Sequence, residues 1–158
     1  MKSIVIYFAV NDEGSTANLA RKIAGATHSD IFRLEAAEPY SDNYMVTNAR
    51  AREESENNAR PAIKNDTVDL SIYDVIYLGF PNWYRSYPRI IATFLDNHDF
   101  TLKIIKPFCT NEEGGFGIGE VQLRSQVPNA IVKDGLSCNS ETVAELSDRI
   151  ILEWANKE

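Results

Sequence analysis

The sequence predicts an α/β fold, read as one domain over residues 1–158: a doubly wound five-stranded parallel sheet covered by helices on both faces in a three-layer α/β/α arrangement. Three observations lead there. Strand and helix signals alternate along the whole chain. After Asp74, the run Val75-Ile76-Tyr77-Leu78-Gly79-Phe80 contains no polar side chain. An uninterrupted apolar stretch rich in Val, Ile and Tyr marks a strand buried on both faces, as in the middle of a parallel sheet. Finally, no internal repeat, low-complexity tract or linker divides the 158 residues, a length sufficient for a real core.

The elements follow in order. Residues 3–8 are an apolar strand, and 16–27 a helix with Leu19, Ala20, Ile23 and Ala24 on one face. Ile31-Phe32-Arg33-Leu34 alternates in part, which suits a strand nearer the sheet edge. Ser41 or Asp42 is placed to cap the next helix, residues 43–59, which is polar and carries only a weak apolar stripe. The central strand spans 73–80. A helix over 88–98 starts at Pro88 and spaces Ile90, Ile91, Phe94 and Leu95 helically. Residues 104–109 form the fourth strand, 110–119 a glycine-rich loop, 120–126 a short helix and 130–132 the fifth strand. An amphipathic helix over 140–156 closes the chain.

Composition narrows the function classes. Hydrophobic residues make up 44% and charged residues 25%, an ordinary globular profile, with a net charge of −7. That balance lacks the basic footprint of a nucleic-acid or anionic-membrane partner. No apolar run approaches the roughly 20 residues that cross a bilayer, and the N-terminus reads as a strand rather than a leader, so a cytoplasmic location is expected. Cys109 and Cys138 have neither metal-site nor disulfide-framework spacing. Cys109 reads as a buried small hydrophobe. His28 and His98 take surface or helix-end roles, and the carboxylates of 53–56 a solvated helix face.

In a doubly wound sheet the loops at the carboxyl ends of the strands gather at one edge, where ligands bind. The loop after the first strand, Ala9 to Asn18, runs into a helix start, where unpaired N–H groups favour phosphate. Ser15, Thr16 and Asn18 add side-chain donors, although Ser15 or Thr16 also suits a simple capping role. Asp12 and Glu13 are expected to point away from a phosphate. The P-loop lysine is absent. After the central strand, Pro81-Asn82-Trp83-Tyr84 offers aromatic faces to a planar heterocycle, or covers the sheet edge. After the fourth strand, Thr110 to Gly119 carries four glycines within six residues, which permits close backbone approach or merely a flexible connection. Together the loops suit a phosphorylated planar cofactor.

At these residues the sequence resembles the flavodoxin family, specifically its short-chain flavodoxin-like proteins, over nearly the whole chain. The resemblance rests on Ala59-Arg60-Pro61-Ala62-Ile63, Tyr73 to Tyr84, Thr93-Phe94-Leu95, and Pro107-Phe108-Cys109-Thr110 with the glycine loop. It implies strand order 2-1-3-4-5 with FMN at the switch point, a property of the flavodoxin fold in general. By position, Ser15, Thr16, Ala17 and Asn18 match the phosphate loop. Pro81, Asn82, Trp83 and Tyr84 match the first isoalloxazine loop. Thr110, Asn111, Glu112, Gly114, Gly115, Phe116 and Gly117 match the second. The family's phosphate loop reads like T-G-N-T, whereas this chain has Thr16-Ala17-Asn18-Leu19.

Three functions are expected in turn. The first is an FMN-dependent electron carrier with a redox partner protein and no catalytic side chain. The second is an FMN-dependent oxidoreductase passing electrons from NAD(P)H to quinone-type acceptors. The third is a flavin-free binding module on the same fold. A receiver domain is disfavoured, because Tyr7, Phe8 and Ala9 stand where an acidic pair belongs. The acidic surround is expected to lower a bound flavin's potential.

Overall fold

The computed structural model describes residues 1–112 and 115–158. Strand β1 (Ser3–Phe8) leads into helix α1 (Ser15–Thr27), β2 (Asp30–Leu34) into α2 (Tyr44–Glu56), and β3 (Val75–Pro81) into α3 (Arg89–Asn97). Strand β4 (Ile104–Asn111) is followed by α4 (Gly119–Gln126), the short strands β5 (Ile131–Val132) and β6 (Leu136–Asn139), and α5 (Asp148–Ala155). Every strand pair is parallel, in the order β2-β1-β3-β4-β5, with β6 also paired to β4.

Burial explains the order. Strand β3 lies between β1 and β4, and its residues Val75 to Phe80 are all buried. Ile76, Leu78 and Phe80 pack on one side with Ile90, Ile91, Phe94 and Leu95 of α3 and Leu123 of α4. Val75 and Tyr77 pack on the other with Leu19, Ala20 and Ile23 of α1 and Ile151 and Ala155 of α5. Two layers of helix therefore enclose the sheet. Edge strand β2 leaves Asp30 and Ile31 exposed, as its broken alternation predicts. Among the described residues no helix is long and apolar enough to cross a membrane.

Three elements differ from the sequence-based expectation. The fifth strand is longer and interrupted. Strand β5 pairs Ile131 with Ile104, whereas β6 pairs Leu136 with Phe108, so the register advances by one residue between them. The extra residue is a bulge at Lys133–Gly135. A Cβ on Gly135 would stand 2.3 Å from the ring of Phe116, so the bulge makes room for that aromatic. The segment Leu136-Ser137-Cys138-Asn139 carries little β-propensity, which hides β6 in the sequence. Its formation also brings β4 out to Asn111, so Thr110 and Asn111 end a strand rather than begin a loop.

The closing helix begins at Asp148, not 140. Asn139 Oδ1 accepts the Glu141 N–H at 2.8 Å, and a 3₁₀ turn follows over Val143–Glu145. Such local side-chain bonds compete with the helix ladder. Ser147 then caps α5, its hydroxyl accepting from the Ile150 N–H at 3.3 Å. Helix α2 likewise stops at Glu56, and Asn58 takes a positive φ of 48° in the turn beyond it.

Candidate functional site

The carboxyl ends of β1, β3 and β4 open on one cleft of about 1100 Å³. Clefts of roughly 300–1000 Å³ suffice to enclose a drug-sized ligand. Its floor is set by two loops that interlock. Asn82 N–H donates to the Thr110 carbonyl at 2.9 Å, and Asn82 Nδ2 to the Gly115 carbonyl at 2.7 Å. Behind them, Asn111 Nδ2 donates to Ser137 Oγ at 2.8 Å, and the Asn111 carbonyl accepts the Ser140 N–H at 2.7 Å. Strand β6 thus buttresses the β4 end of the site. Its contribution was not legible in the sequence.

Residues 83–86 make a two-residue hairpin. Trp83 N–H donates to the Ser86 carbonyl at 2.9 Å and Ser86 N–H to the Trp83 carbonyl at 3.2 Å. Tyr84 and Arg85 both have positive φ, 53° and 67°, in a turn that normally selects Asn and Gly. The turn is held from two sides. Tyr84 hydroxyl donates to Asn48 Oδ1 of α2 at 2.7 Å, and the Arg85 carbonyl accepts the Ile118 N–H at 2.7 Å. A Cβ on Gly117, whose φ is +57°, would fall 2.2 Å from that carbonyl. Only glycine lets the two loops meet there.

Trp83 lines the cleft, but its indole is set edge-on against Phe8 (centroids 5.5 Å, 83°) and Tyr40 (5.1 Å, 67°). The aromatic therefore belongs both to the core and to the wall. Phe116 turns away from the cleft: it is buried, packs edge-on to Phe80 at 6.0 Å, and fills the space over Gly135. Of the residues singled out in the sequence, Pro81, Asn82, Trp83, Tyr84, Thr110, Asn111 and Glu112 line the cleft. Gly115, Phe116 and Gly117 support it from behind, and Gly114 lies outside the described residues. Helix α2 supplies a wall the sequence did not reveal, through Tyr44, Thr47, Asn48 and Ala51.

The first loop reaches the cleft through Val10 to Glu13. It ends at Gly14, which precedes α1 without any side-chain cap, and α1 has no acidic residue in its first turn. Neither Ser15 nor Thr16 caps the helix. Within α1 the first backbone N–H bonded to a carbonyl is that of Asn18, to Gly14 at 3.0 Å. Among the described residues the N–H groups of Ser15, Thr16 and Ala17 therefore have no partner, and none of these three residues lines the cleft. Thr16 instead turns inward, its hydroxyl 2.6 Å from that of Thr110, and both threonines are buried. Asn18 is occupied by Glu13 and Arg21.

Electrostatically the cleft is acidic. Among the described residues, Asp12, Glu13, Asp42 and Glu112 line it, with Arg85 as the one cation. The Tyr7 hydroxyl beside Asp12, with Arg33 and Arg21, holds that carboxyl below its ordinary range. Burial, then the hydrogen bond to Asp12, pushes Tyr7 up to about 12. Burial likewise pushes the Cys109 thiol up to about 12, which favours the protonated thiol over the thiolate.

The family model for Flavodoxin matches residues 2–157. The protein belongs to the flavodoxin family. Among solved structures, a candidate flavoprotein from Bacteroides eggerthii is 28% identical, with 98% of this chain and 96% of that one covered and a TM-score of 0.86. A Lactobacillus acidophilus flavoprotein in complex with FMN is 19% identical, with 98% and 99% covered and a TM-score of 0.76. Oxidised Flavodoxin 1 from Bacillus cereus is 17% identical over 100% and 99%, with a TM-score of 0.56. No curated protein matches the sequence significantly. The family's strand order and the cleft at its reversal point therefore coincide in this chain: β1 and β3 pair side by side, the chain leaves β1 for β2 and β3 for β4 on opposite sides, and Val10 to Glu13 line the cleft there.

Proposed function

We propose that the cleft binds FMN and that the protein is an electron carrier serving a redox partner protein. The observation that carries the reading is the uncapped start of α1 at the same sheet edge as the aromatic and β4 loops. Open N–H groups there match a phosphate. The backbone at Asn82, Thr110 and Glu112 and the wall at Trp83 and Tyr84 suit a planar heterocycle. Bound FMN supplies one- and two-electron chemistry at its ring.

The chain's own residues position the ligand and set its field. Glu13, Asp42 and Glu112 oppose added negative charge in the cleft and so lower the reduction potential, while Arg85 partly offsets them and Asp12 is paired with Arg21 and Arg33. No catalytic acid, base or nucleophile is needed.

An absorbance scan of the purified protein, followed by titration with FMN, tests the cofactor. A protein that carries no flavin and binds none refutes the reading. Assay with NAD(P)H and a quinone separates the two redox roles: a carrier shows almost no turnover unless a reductase is added, and sustained turnover alone would establish the oxidoreductase.

A further inference from the structure

Asp12 is an acid on the loop that enters α1, where simple charge repulsion makes it an obstacle to a phosphate. Its surroundings give it another role. Tyr7 and Arg33 are register partners on β1 and β2, so their side chains stand together on one face of the sheet. Asp12 folds back over both. It accepts the Tyr7 hydroxyl at 2.7 Å and lies 3.9 Å from Arg33 Nε and 3.4 Å from Arg21 Nη1.

Arg33 reaches past Asp12 to the loop backbone. Its Nη2 donates to the Ala9 carbonyl at 3.1 Å and the Val10 carbonyl at 3.3 Å. Its Nη1 lies 3.9 Å from Glu35, and its Nε is buried without a hydrogen-bond partner among the described residues. Arg21 closes the other side, donating through Nη2 to the Asp12 carbonyl at 2.8 Å and to Asn18 Oδ1 at 2.7 Å. Two guanidinium groups thus flank Asp12, and between them they engage three backbone carbonyls of the loop, those of Ala9, Val10 and Asp12. With those carbonyls engaged, fewer loop oxygens are left to oppose an anion at the start of α1.

We infer that Tyr7, Asp12 and Arg33 form a positioning unit for the phosphate of the flavin nucleotide, fixing the Ala9–Gly14 backbone so that phosphate selectivity depends on Arg33 and on Asp12 itself. The unit supplies from behind the loop what the Thr16-Ala17-Asn18-Leu19 sequence does not supply through side-chain hydroxyls. This inference rests on the FMN reading above.

The test compares FMN with riboflavin, which has the same ring and no phosphate, by calorimetric titration of the wild type and of Arg33→Met, Asp12→Asn and Tyr7→Phe. Arg33→Met is expected to weaken FMN binding by roughly tenfold or more, the loss of one charge-assisted contact, with riboflavin changed less than about twofold. Asp12→Asn should also weaken FMN selectively, although it removes a negative charge. Tyr7→Phe, which deletes one hydroxyl, keeps the test open if Arg33→Met fails to fold, and should act in the same direction. Tighter FMN binding by Asp12→Asn would overturn the inference in favour of plain repulsion. Equal losses for FMN and riboflavin, or no loss, would also overturn it. A wild type that binds neither flavin defeats the cofactor reading and this inference with it. A wild type that binds both equally defeats this inference alone.

Discussion

The hydroxyls of Thr16 and Thr110 lie 2.6 Å apart, both residues almost wholly buried, and they join the start of α1 to the end of β4. One is the donor and the other the acceptor, so each satisfies the other where water does not reach. The relationship ties two of the three site loops through a single bond.

Replacing either partner alone, Thr16→Val or Thr110→Val, leaves a buried hydroxyl unsatisfied. Each is expected to cost about 1–3 kcal/mol of unfolding free energy, measured by urea denaturation. The double variant should cost less than the sum of the singles, since it removes both polar groups. Strict additivity would mean that the two hydroxyls do not depend on one another.

Gly117→Ala places a methyl group 2.2 Å from the Arg85 carbonyl at a residue whose φ is +57°. The turn at Tyr84–Arg85 and the loop at Gly117–Ile118 must then separate. A destabilisation of roughly 1–3 kcal/mol is expected from the left-handed backbone alone. Thermal melting checks it, and a melting temperature equal to that of the wild type would show that the loops do not interlock in solution.

Trp83→Ala is expected to weaken FMN binding by roughly 1–3 kcal/mol if the indole face meets the ring, by analogy with base–aromatic stacking. Because Trp83 also packs on Phe8 and Tyr40, a loss of stability should accompany it. Trp83→Phe separates the effects by keeping an aromatic face in a smaller volume. Unchanged FMN affinity in both variants would transfer the role to Tyr84.

Alkaline titration probes the tyrosines. Tyr7 and Tyr73 rise from the ordinary 10 to about 12, the first mainly through burial and the second mainly through its hydrogen bond to Asp30. A raised folded pKa means that the protonated phenol is favoured by folding. Its contribution is therefore complete below pH 10 and is lost as the pH rises from 10 to 12. The denaturation midpoint should fall over that window, and less steeply in Tyr7→Phe. Phenolate absorbance at 295 nm reports the same transition; full ionisation by pH 11 in the folded protein would contradict it.

Much of the architecture was legible. The apolar run ending at Phe80 marked the central strand because burial on two faces removes every polar residue from it. The periodicity of Ile90, Ile91, Phe94 and Leu95 marked α3 for the complementary reason. Phe116, placed by the resemblance in a cofactor loop, is buried against Phe80 and does not line the cleft, since a glycine-rich neighbourhood in sequence says nothing of which way the aromatic turns. Helix α2 was legible as a helix but not as a wall, because Thr47, Asn48 and Ala51 carry no apolar signal.

The sequence by itself determined the alternation of elements, the burial of β3 and which loops stand at strand ends, since these follow from local pattern and chain order. Tertiary structure alone decided the bulge that splits β5 from β6, the inward turn of Phe116 and the pairing of Thr16 with Thr110. It also decided the gathering of Asp12, Tyr7 and Arg33 behind the first loop. Each depends on contacts between residues distant in sequence. Whether a polar or aromatic side chain faces ligand, core or partner is settled only when the chain closes around it.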